Sequence, residues 1–467
     1  MAGKAKPKKT VALFGGSFNP PGLHHRGIAE RLIRHFDEVL VIPCGPRPDK
    51  QATNDVDPIY RAVMTDIAFR GLPRVAVELF DLEQATFTRT HQLQDMFAHR
   101  GELWHVVGTD LIQGGHKGRS YIQRFWQKGR EIWERLNFAV IVRPGYHFNQ
   151  ADLPPHHHVI EFDCDGSSRS IRERLFRHQS ITAMVTPEVE QYIDLHGLYR
   201  GSIPARVARF TLEQPRLLII ADERNPKAVE LAKKFKPFRN AKNPNCVLVL
   251  GGDGSMLRAI RKHWRLRLPF LGINAGHIGF LMNDAEEIHR EPLFPLDLIL
   301  HQMPLIYLEM TDPKGQPHQA LAFNDAWMER AGSQTAWIEV KVNERVRLPR
   351  LVCDGALLST AAGSTAYARA MGATPLLADT PAWVLVGSNV MRPMNWKSAL
   401  LTHDSQVELR AHDVAKRPVR AYADGVAQGE VETMRARISR IAAAELAFLP
   451  THDMAEKIAQ IQFPAHP

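Results

Sequence analysis

The chain has 467 residues, too many for one ordinary domain, so roughly two or three hydrophobic cores are expected. With 44% hydrophobic and 23% charged residues it reads as an ordinary globular protein, and no apolar run is long enough to span a bilayer. The formal charge of +9 is spread along the chain, so it fits pockets that neutralise polyphosphate as well as it fits nucleic acid.

Residues 1–9 read as a solvated basic tail, because only four apolar residues follow before Gly15, too few for the core of a secretory signal. Residues 10–200 alternate strands and helices. Val39-Leu-Val-Ile-Pro, Val75-Ala-Val-Glu-Leu, Trp104-His-Val-Val-Gly and Phe138-Ala-Val-Ile-Val read as buried strands, with helices over Arg26–Phe36, Ile59–Phe69 and Thr90–His99 between them. This alternation predicts a doubly wound parallel sheet with its ligand crevice at the carboxyl ends of the strands, near Gly15 and Gly16. Residues 201–215 read as a linker. A second α/β region starts at Arg216-Leu-Leu-Ile-Ile-Ala-Asp and runs to the C-terminus, within which short alternating runs over about 305–435 predict a β-rich subdomain. Cys44, Cys164, Cys246 and Cys353 lie far apart with no CxxC pair, which fits reduced thiols in a cytoplasmic protein better than a disulfide framework.

Two strand–turn–helix segments carry glycine-rich turns that can present backbone N–H groups to an anion. In Val11-Ala-Leu-Phe-Gly-Gly-Ser-Phe-Asn-Pro-Pro, Gly15 and Gly16 permit close phosphate approach, Ser17 and Phe18 continue the turn, and His24 and His25 fall at the start of the next helix. Gly166-Ser-Ser-Arg-Ser-Ile-Arg adds hydroxyls and guanidinium at another helix start, which is an anion site or a plain basic N-cap. In Val247-Leu-Val-Leu-Gly-Gly-Asp-Gly-Ser, Asp253 puts a carboxylate where phosphate would be repelled, so it is read as accepting a proton from an attacking hydroxyl; an Asp-Gly turn is the plain alternative. Pro154-Pro-His-His-His reads as a solvated loop, and Arg258, Arg261 and Lys262 as one basic helix face, solvated or facing polyphosphate.

Residues of about Lys9 to Arg200 resemble the nicotinate/nicotinamide mononucleotide adenylyltransferase family, on the two motifs above together with Val41-Ile-Pro-Cys-Gly-Pro-Arg-Pro-Asp-Lys, Tyr60-Arg-Ala-Val-Met, Gly108-Thr-Asp, Arg143-Pro-Gly and Tyr192-Ile-Asp-Leu-His-Gly-Leu-Tyr. The resemblance implies adenylyl transfer from ATP to a pyridine mononucleotide, with His25, Ser167, Ser168 and Arg172 on the ATP phosphates. By the same likeness Lys50 would neutralise charge, Asp110 would bind ribose and Trp126 would lie near the pyridine ring. The family pattern His-x-Gly-His is replaced here by Gly22-Leu-His-His, with His24 where glycine is expected, and Arg169 stands in a threonine position. Two outcomes stay open: retained catalysis, with His24 standing in and Arg169 adding charge, or a domain that only binds nucleotide.

From about Pro215 onward, the Gly251 turn is followed by Gly272-Ile-Asn-Ala-Gly-His-Ile-Gly-Phe-Leu, Phe323-Asn-Asp-Ala-Trp and Asp354-Gly-Ala-Leu-Leu-Ser-Thr-Ala-Ala-Gly-Ser-Thr-Ala-Tyr. In that order these resemble the NAD kinase family. The likeness implies ATP-dependent phosphorylation of the NAD 2′-hydroxyl with Mg²⁺, Asp253 as general base, and NAD binding by Gly254, Asn324, Asp325, Asp354, Thr365, Ala366 and Tyr367. Asp424-Gly425 resembles a late Asp-Gly turn of the same family. The expectation is a bifunctional cytoplasmic enzyme, a homo-oligomer using ATP, nicotinamide or nicotinate mononucleotide and NAD. Membrane is not an expected partner and nucleic acid is the disfavoured one. The fold expected is α/β throughout: a nucleotidyltransferase-like parallel sheet, then an NAD-kinase-like α/β part and a β-rich part.

Overall fold

The computed structural model describes residues 8–47, 55–142, 149–163, 166–276, 279–288 and 292–463. The chain divides into two compact units, Met1–Ala205 and Arg206–Pro467.

In the first unit, the described residues form a parallel sheet of β1 (Thr10–Gly16), β2 (Glu38–Pro43), β3 (Val75–Val77), β4 (Glu102–Gly108), β5 (Asn137–Val142) and β6 (His157–Glu161). The order is β3-β2-β1-β4-β5-β6. Near-continuous apolar runs are what a sheet covered by helices on both faces requires. Accordingly Ala12, Phe14, Val39 and Val41 enter one core, while Val11, Leu13, Leu40 and Ile42 enter another. The chain winds outward from β1 to β3 and then returns to β4. The switch point therefore lies between β1 and β4, where a crevice opens at the strand ends. His157, from the triple-histidine run read as loop, starts β6, and His158 contacts His35 at 3.1 Å. Parallel pairing with β5, from Phe138 opposite His157 to Val142 opposite Glu161, makes that run a strand.

The second unit opens with β7 (Val207–Leu212), β8 (Leu217–Ala221), β9 (Cys246–Gly251), β10 (Pro269–Asn274) and β11 (Asn283–Asp284). β7 lies inside the stretch expected to be a linker. Its Ala208 and Leu212 are buried, and it pairs antiparallel with Leu296–His301. Then follow β12 (Leu296–Thr311), β13 (Pro317–Ala322), β14 (Asp325–Arg330), β15 (Ala336–Val342), β16 (Arg345–Cys353) and β17 (Gly355–Ser359). The strands finish with β18 (Ala382–Ser388), β19 (Ser398–Thr402), β20 (Gln406–Ala411), β21 (Val419–Ala423), β22 (Val426–Glu430) and β23 (Thr433–Phe448).

The parallel strands β8, β9 and β10 are flanked by the helices Pro226–Phe235 and Asp253–His263, and continue through β23 into the antiparallel part. β19-β18-β17-β14-β21-β22 make a second sheet, packed on the first through a core that includes Met328, Leu351, Leu358, Trp383 and Leu409. Cys44, Cys246 and Cys353 are buried and free, and burial pushes the Cys246 and Cys353 thiols up to about 12. Cys164 lies outside the described residues. No helix among the described residues is long and apolar enough to cross a membrane.

Candidate active sites

In the first unit, the turn after β1 is held from behind. Arg61, 1% exposed, donates from Nε and Nη2 to the Ser17 carbonyl at 3.2 and 2.6 Å, and from Nη2 to the Cys44 carbonyl at 2.6 Å. Ser168 Oγ donates to the Pro20 carbonyl at 2.8 Å, and Arg172 Nη1 to the Asn19 carbonyl at 2.6 Å. Tyr199 donates its hydroxyl to Asn19 Oδ1 at 2.5 Å. In a trans peptide the N–H points opposite to the C=O, so gripping the Ser17 carbonyl aims the Phe18 N–H the other way. Ser168 and Arg172 thus tie the turn to their helix, Ser168–Phe176, whose N-cap Ser167 accepts from the Ser170 N–H.

The two histidine rings pack against each other, tilted by 39°. Their ring centroids lie 3.9 Å apart, and His25 Nδ1 accepts the Gly22 N–H at 3.1 Å, which leaves the ring proton on Nε2. His24 is buried. A Cβ placed on Gly22 would lie 2.6 Å from its ring, and one on Gly166 would lie 2.7 Å from it. Both positions must be glycine for this ring to fit, and the imidazole at 24 fills the space in front of Cα 22.

Asp110 stands just past β4, across the switch point from Gly15 and Gly16, with its carboxylate folded back beside Gly108. Trp126 packs beside the cluster of Ile112, Ile122, Ile132 and Trp133. Arg169 is 83% exposed and pairs with Glu173 at 2.9 Å along its own helix, so its charge is directed there. Lys50 and Arg143-Pro-Gly lie outside the described residues.

In the second unit, a Cβ on Gly251 would strike Ser255 Oγ at 2.6 Å, so the turn needs glycine there. Asp253 opens the helix Asp253–His263, where the positive helix end favours a carboxylate. Its Oδ2 accepts the Phe280 N–H at 2.9 Å and its Oδ1 accepts the Leu281 N–H at 3.0 Å. Burial raises its proton affinity, which those two N–H groups and Lys457 oppose. Gly254 follows on the exposed side of the first turn.

A second carboxylate organises the Phe323–Asp325 turn. Asp424 accepts from the N–H groups of Phe323, Asn324 and Asp325 at 2.8, 2.8 and 3.3 Å. Thr360 Oγ1 donates to the Phe323 carbonyl at 2.7 Å from the other side. Asn324 Oδ1 is buried and has no partner among the described residues, so an acceptor stands ready for a ligand donor. Burial, with Asp424 beside it, pushes the Asp325 carboxyl up to about 7. Tyr367, half exposed, stacks on Trp327 with centroids 4.7 Å apart, and its hydroxyl is raised by burial, Glu329 and Asp325. Thr365 and Ala366 lie in the turn leading into Tyr367.

Phe323 shares a core with Met256, Ala259 and Ile260 of the Asp253 helix, which brings the two acidic elements to one place. Arg261 of that helix lies close enough to favour the ionised Asp424, so part of the basic face is turned to the site. Arg258 reaches Asp222 and Ser255 at 3.4 and 3.0 Å.

Asp354 stands apart. Asp325 faces Ser359 and Glu329 faces Gly355 in the β14–β17 pairing, so Asp354 lies at the opposite strand end, about 17 Å from the Asn324–Asp325 turn. It accepts from Arg330 Nε at 2.6 Å and Asn389 Nδ2 at 2.7 Å. Arg61, Thr360 and Lys457 carry structural weight that the motifs do not announce. Tyr60-Arg and Ser359-Thr were visible only as parts of longer likenesses.

Comparison with known proteins agrees with this division. Residues 13–174 match the cytidylyltransferase-like family model, and residues 210–290 match the ATP-NAD kinase N-terminal domain model. NAD kinase of Cereibacter sphaeroides is 36% identical over 220 residues, covering 47% of this chain and 86% of that protein. NAD kinase of Rhizorhabdus wittichii is 37% identical over 220 residues, covering 46% and 85%. The crystal structure of yeast NADH kinase complexed with NADH is similar at TM-score 0.42 and 14% identity, covering 72% of this chain and 82% of that one. With a cytidylyltransferase-like domain in its first unit, the chain belongs to the NAD kinase family.

Proposed function

We propose that the second unit transfers the γ-phosphoryl group of MgATP to the 2′-hydroxyl of NAD, and that the first unit adenylylates a pyridine mononucleotide to make that dinucleotide. The kinase reading is carried by one observation: the Asp253 carboxylate is fixed by two backbone N–H groups at a helix start, beside a turn with an open buried acceptor. The hydroxyl oxygen bonds to the γ-phosphorus, the bond from that phosphorus to the β,γ-bridging oxygen breaks, and ADP leaves. The hydroxyl proton passes to Asp253, whose burial makes it a stronger base than a free carboxylate. Asn324 and Asp325 hold the dinucleotide, and Tyr367 on Trp327 offers an aromatic face to a base. Mg²⁺ enters with ATP as substrate.

In the first unit the α-phosphorus of ATP is attacked by the mononucleotide phosphate, and pyrophosphate leaves. The Phe18 N–H and His25 Nε2–H supply donors to the charge that develops. Asp110 takes ribose, with Trp126 toward the pyridine. Fusion has chemical sense when the product of one unit is the substrate of the other, which favours the amide mononucleotide.

The test is chromatography of the products that full-length protein makes from MgATP and each mononucleotide in turn. NADP from the amide form supports both reactions. NADP from supplied NAD alone, with no pyrophosphate release from either mononucleotide, leaves the first unit as a nucleotide-binding module. Product from the acid form alone removes the argument from fusion.

A further inference from the structure

We propose that Lys457, near the C-terminus, is a positioning residue for phosphoryl transfer, acting on Asp253 through the Gly279–Phe280 peptide. This rests on Asp253 being the base. Lys457 lies on the helix Met454–Gln462, which is capped by Asp453 and anchored by buried Ile458. Its Nζ donates to the carbonyls of Gly279 and Met282 and to Asp284 Oδ1, each at 3.2 Å. The side chain is 16% exposed, so these bonds are largely shielded from water.

The carbonyl of Gly279 and the N–H of Phe280 belong to one peptide group. Its oxygen faces the lysine and its N–H donates to Asp253 Oδ2 at 2.9 Å. A trans peptide points these two groups in opposite directions, so a single peptide dipole lies between ammonium and carboxylate and is polarised by both. The Met282 carbonyl fastens the far end of the same turn, whose Leu281 N–H holds Oδ1. The turn is tight: a Cβ on Gly279 would meet Met282 Cβ and Cγ at 3.0 Å. Lys457 thereby fixes both the direction of the carboxylate and the charge behind it, and its charge offsets the burial that raises the base.

The titratable groups around this lysine are Asp253, Asp284 and His452, with Asp453 and His301 beyond. Burial takes His452 down to about 4, so it stays neutral through the range where the kinase would be assayed. Asp284 is half exposed.

The experiment measures NADP formation from NAD and MgATP across pH with full-length protein. Lys457→Met should lower kcat about 10- to 100-fold and move the acidic limb of the profile upward, with the KM for NAD within about threefold. Lys457→Arg should restore most of kcat and the wild-type limb. Lys457→Gln, which keeps a donor without the charge, should show the limb shift with a smaller loss, and carries the test if the methionine variant does not fold. Gln460→Ala, exposed on the same helix, should change nothing. An unaltered kcat and limb in Lys457→Met or Lys457→Gln, beside a normal loss in Asp253→Asn, overturns the relay alone. Near-normal turnover in Asp253→Asn overturns the base assignment itself.

Discussion

The two glycine turns sit in similar strand–turn–helix settings but are held in opposite senses. In the first unit, side chains donate to the carbonyls of the turn: Arg61 to Ser17, Arg172 to Asn19 and Ser168 to Pro20. In the second, a side chain accepts from the N–H groups of a distant loop: Asp253 from Phe280 and Leu281. Pro20 and Pro21 follow two of the first turn's carbonyls and carry no N–H, so the first arrangement aims one group, the Phe18 N–H, away from the gripping Arg61, which suits an anion. The second spends N–H groups on fixing a carboxylate and suits a base. A glycine-rich turn by itself therefore says little about chemistry; the polarity of what grips the turn says more.

The strongest way to break this comparison is Asp253→Asn. If the carboxylate is a base held by the loop, kcat for NADP formation should fall about 10²- to 10⁴-fold. Adenylyl transfer by the first unit should stay within experimental error, since its turn has no such carboxylate. Comparable losses in both reactions would refute the division of labour.

Next in size is the acidic pair of the second unit. The Asp325 carboxyl is pushed from 3.8 to about 7 in the folded protein, chiefly by burial. The folded state therefore holds more protons than the unfolded state between those values, so stability falls as pH rises through that window. The full effect is up to about 4 kcal/mol at pH above 7, shared with Asp424. Asp325→Asn should flatten this slope in chemical denaturation measured from pH 4 to 8, and raise stability most at the alkaline end. An unchanged slope would show that Asp325 is ionised without strain.

Much of the first unit was legible because its signal is local. Apolar runs broken by helical segments predict the parallel sheet, and the switch point follows from strand order. The partners that define the second site are not local. Phe280 and Leu281 lie 27 and 28 residues from Asp253, and Asp424 lies 100 residues from the Asn324 N–H that it holds. Asp424-Gly425 looks like any Asp-Gly turn until the fold brings it under Phe323. The pattern of β7 is short and only half apolar, so it reads as linker; pairing with β12 makes it a strand. The packed histidine pair depends on Gly166, whose fit to His24 no sequence spacing announces.

That histidine pair gives the third prediction. A side chain at 22 and the imidazole at 24 compete for one space, so Gly22→His alone should slow pyrophosphate release about 10- to 100-fold. Gly22→His with His24→Gly should recover most of the rate, because one imidazole again fills the site. Additive losses in the double variant would mean that His24 acts from its own position and that the exchange is not equivalent.

The smallest expected effect concerns Arg169. Its place beside Ser168 suggests extra positive charge for phosphate, and on that view Arg169→Ala should raise the KM for MgATP in adenylyl transfer several-fold. The geometry argues otherwise. The side chain is 83% exposed and engages Glu173 one helical turn on, while Arg172 alone of that pair reaches the turn at Asn19. An exposed i,i+4 pair contributes about 0.3–0.5 kcal/mol, and its screened charge adds little at a site it does not face. Arg169→Ala should thus change kcat and KM by less than about twofold at 0.15 M salt, whereas Arg172→Ala, measured beside it, should release the Asn19 carbonyl and cost about tenfold or more. A clear KM effect for Arg169 that fades with added salt would show that the first turn draws on charge from outside its hydrogen-bonded grip, and would narrow the contrast with the second.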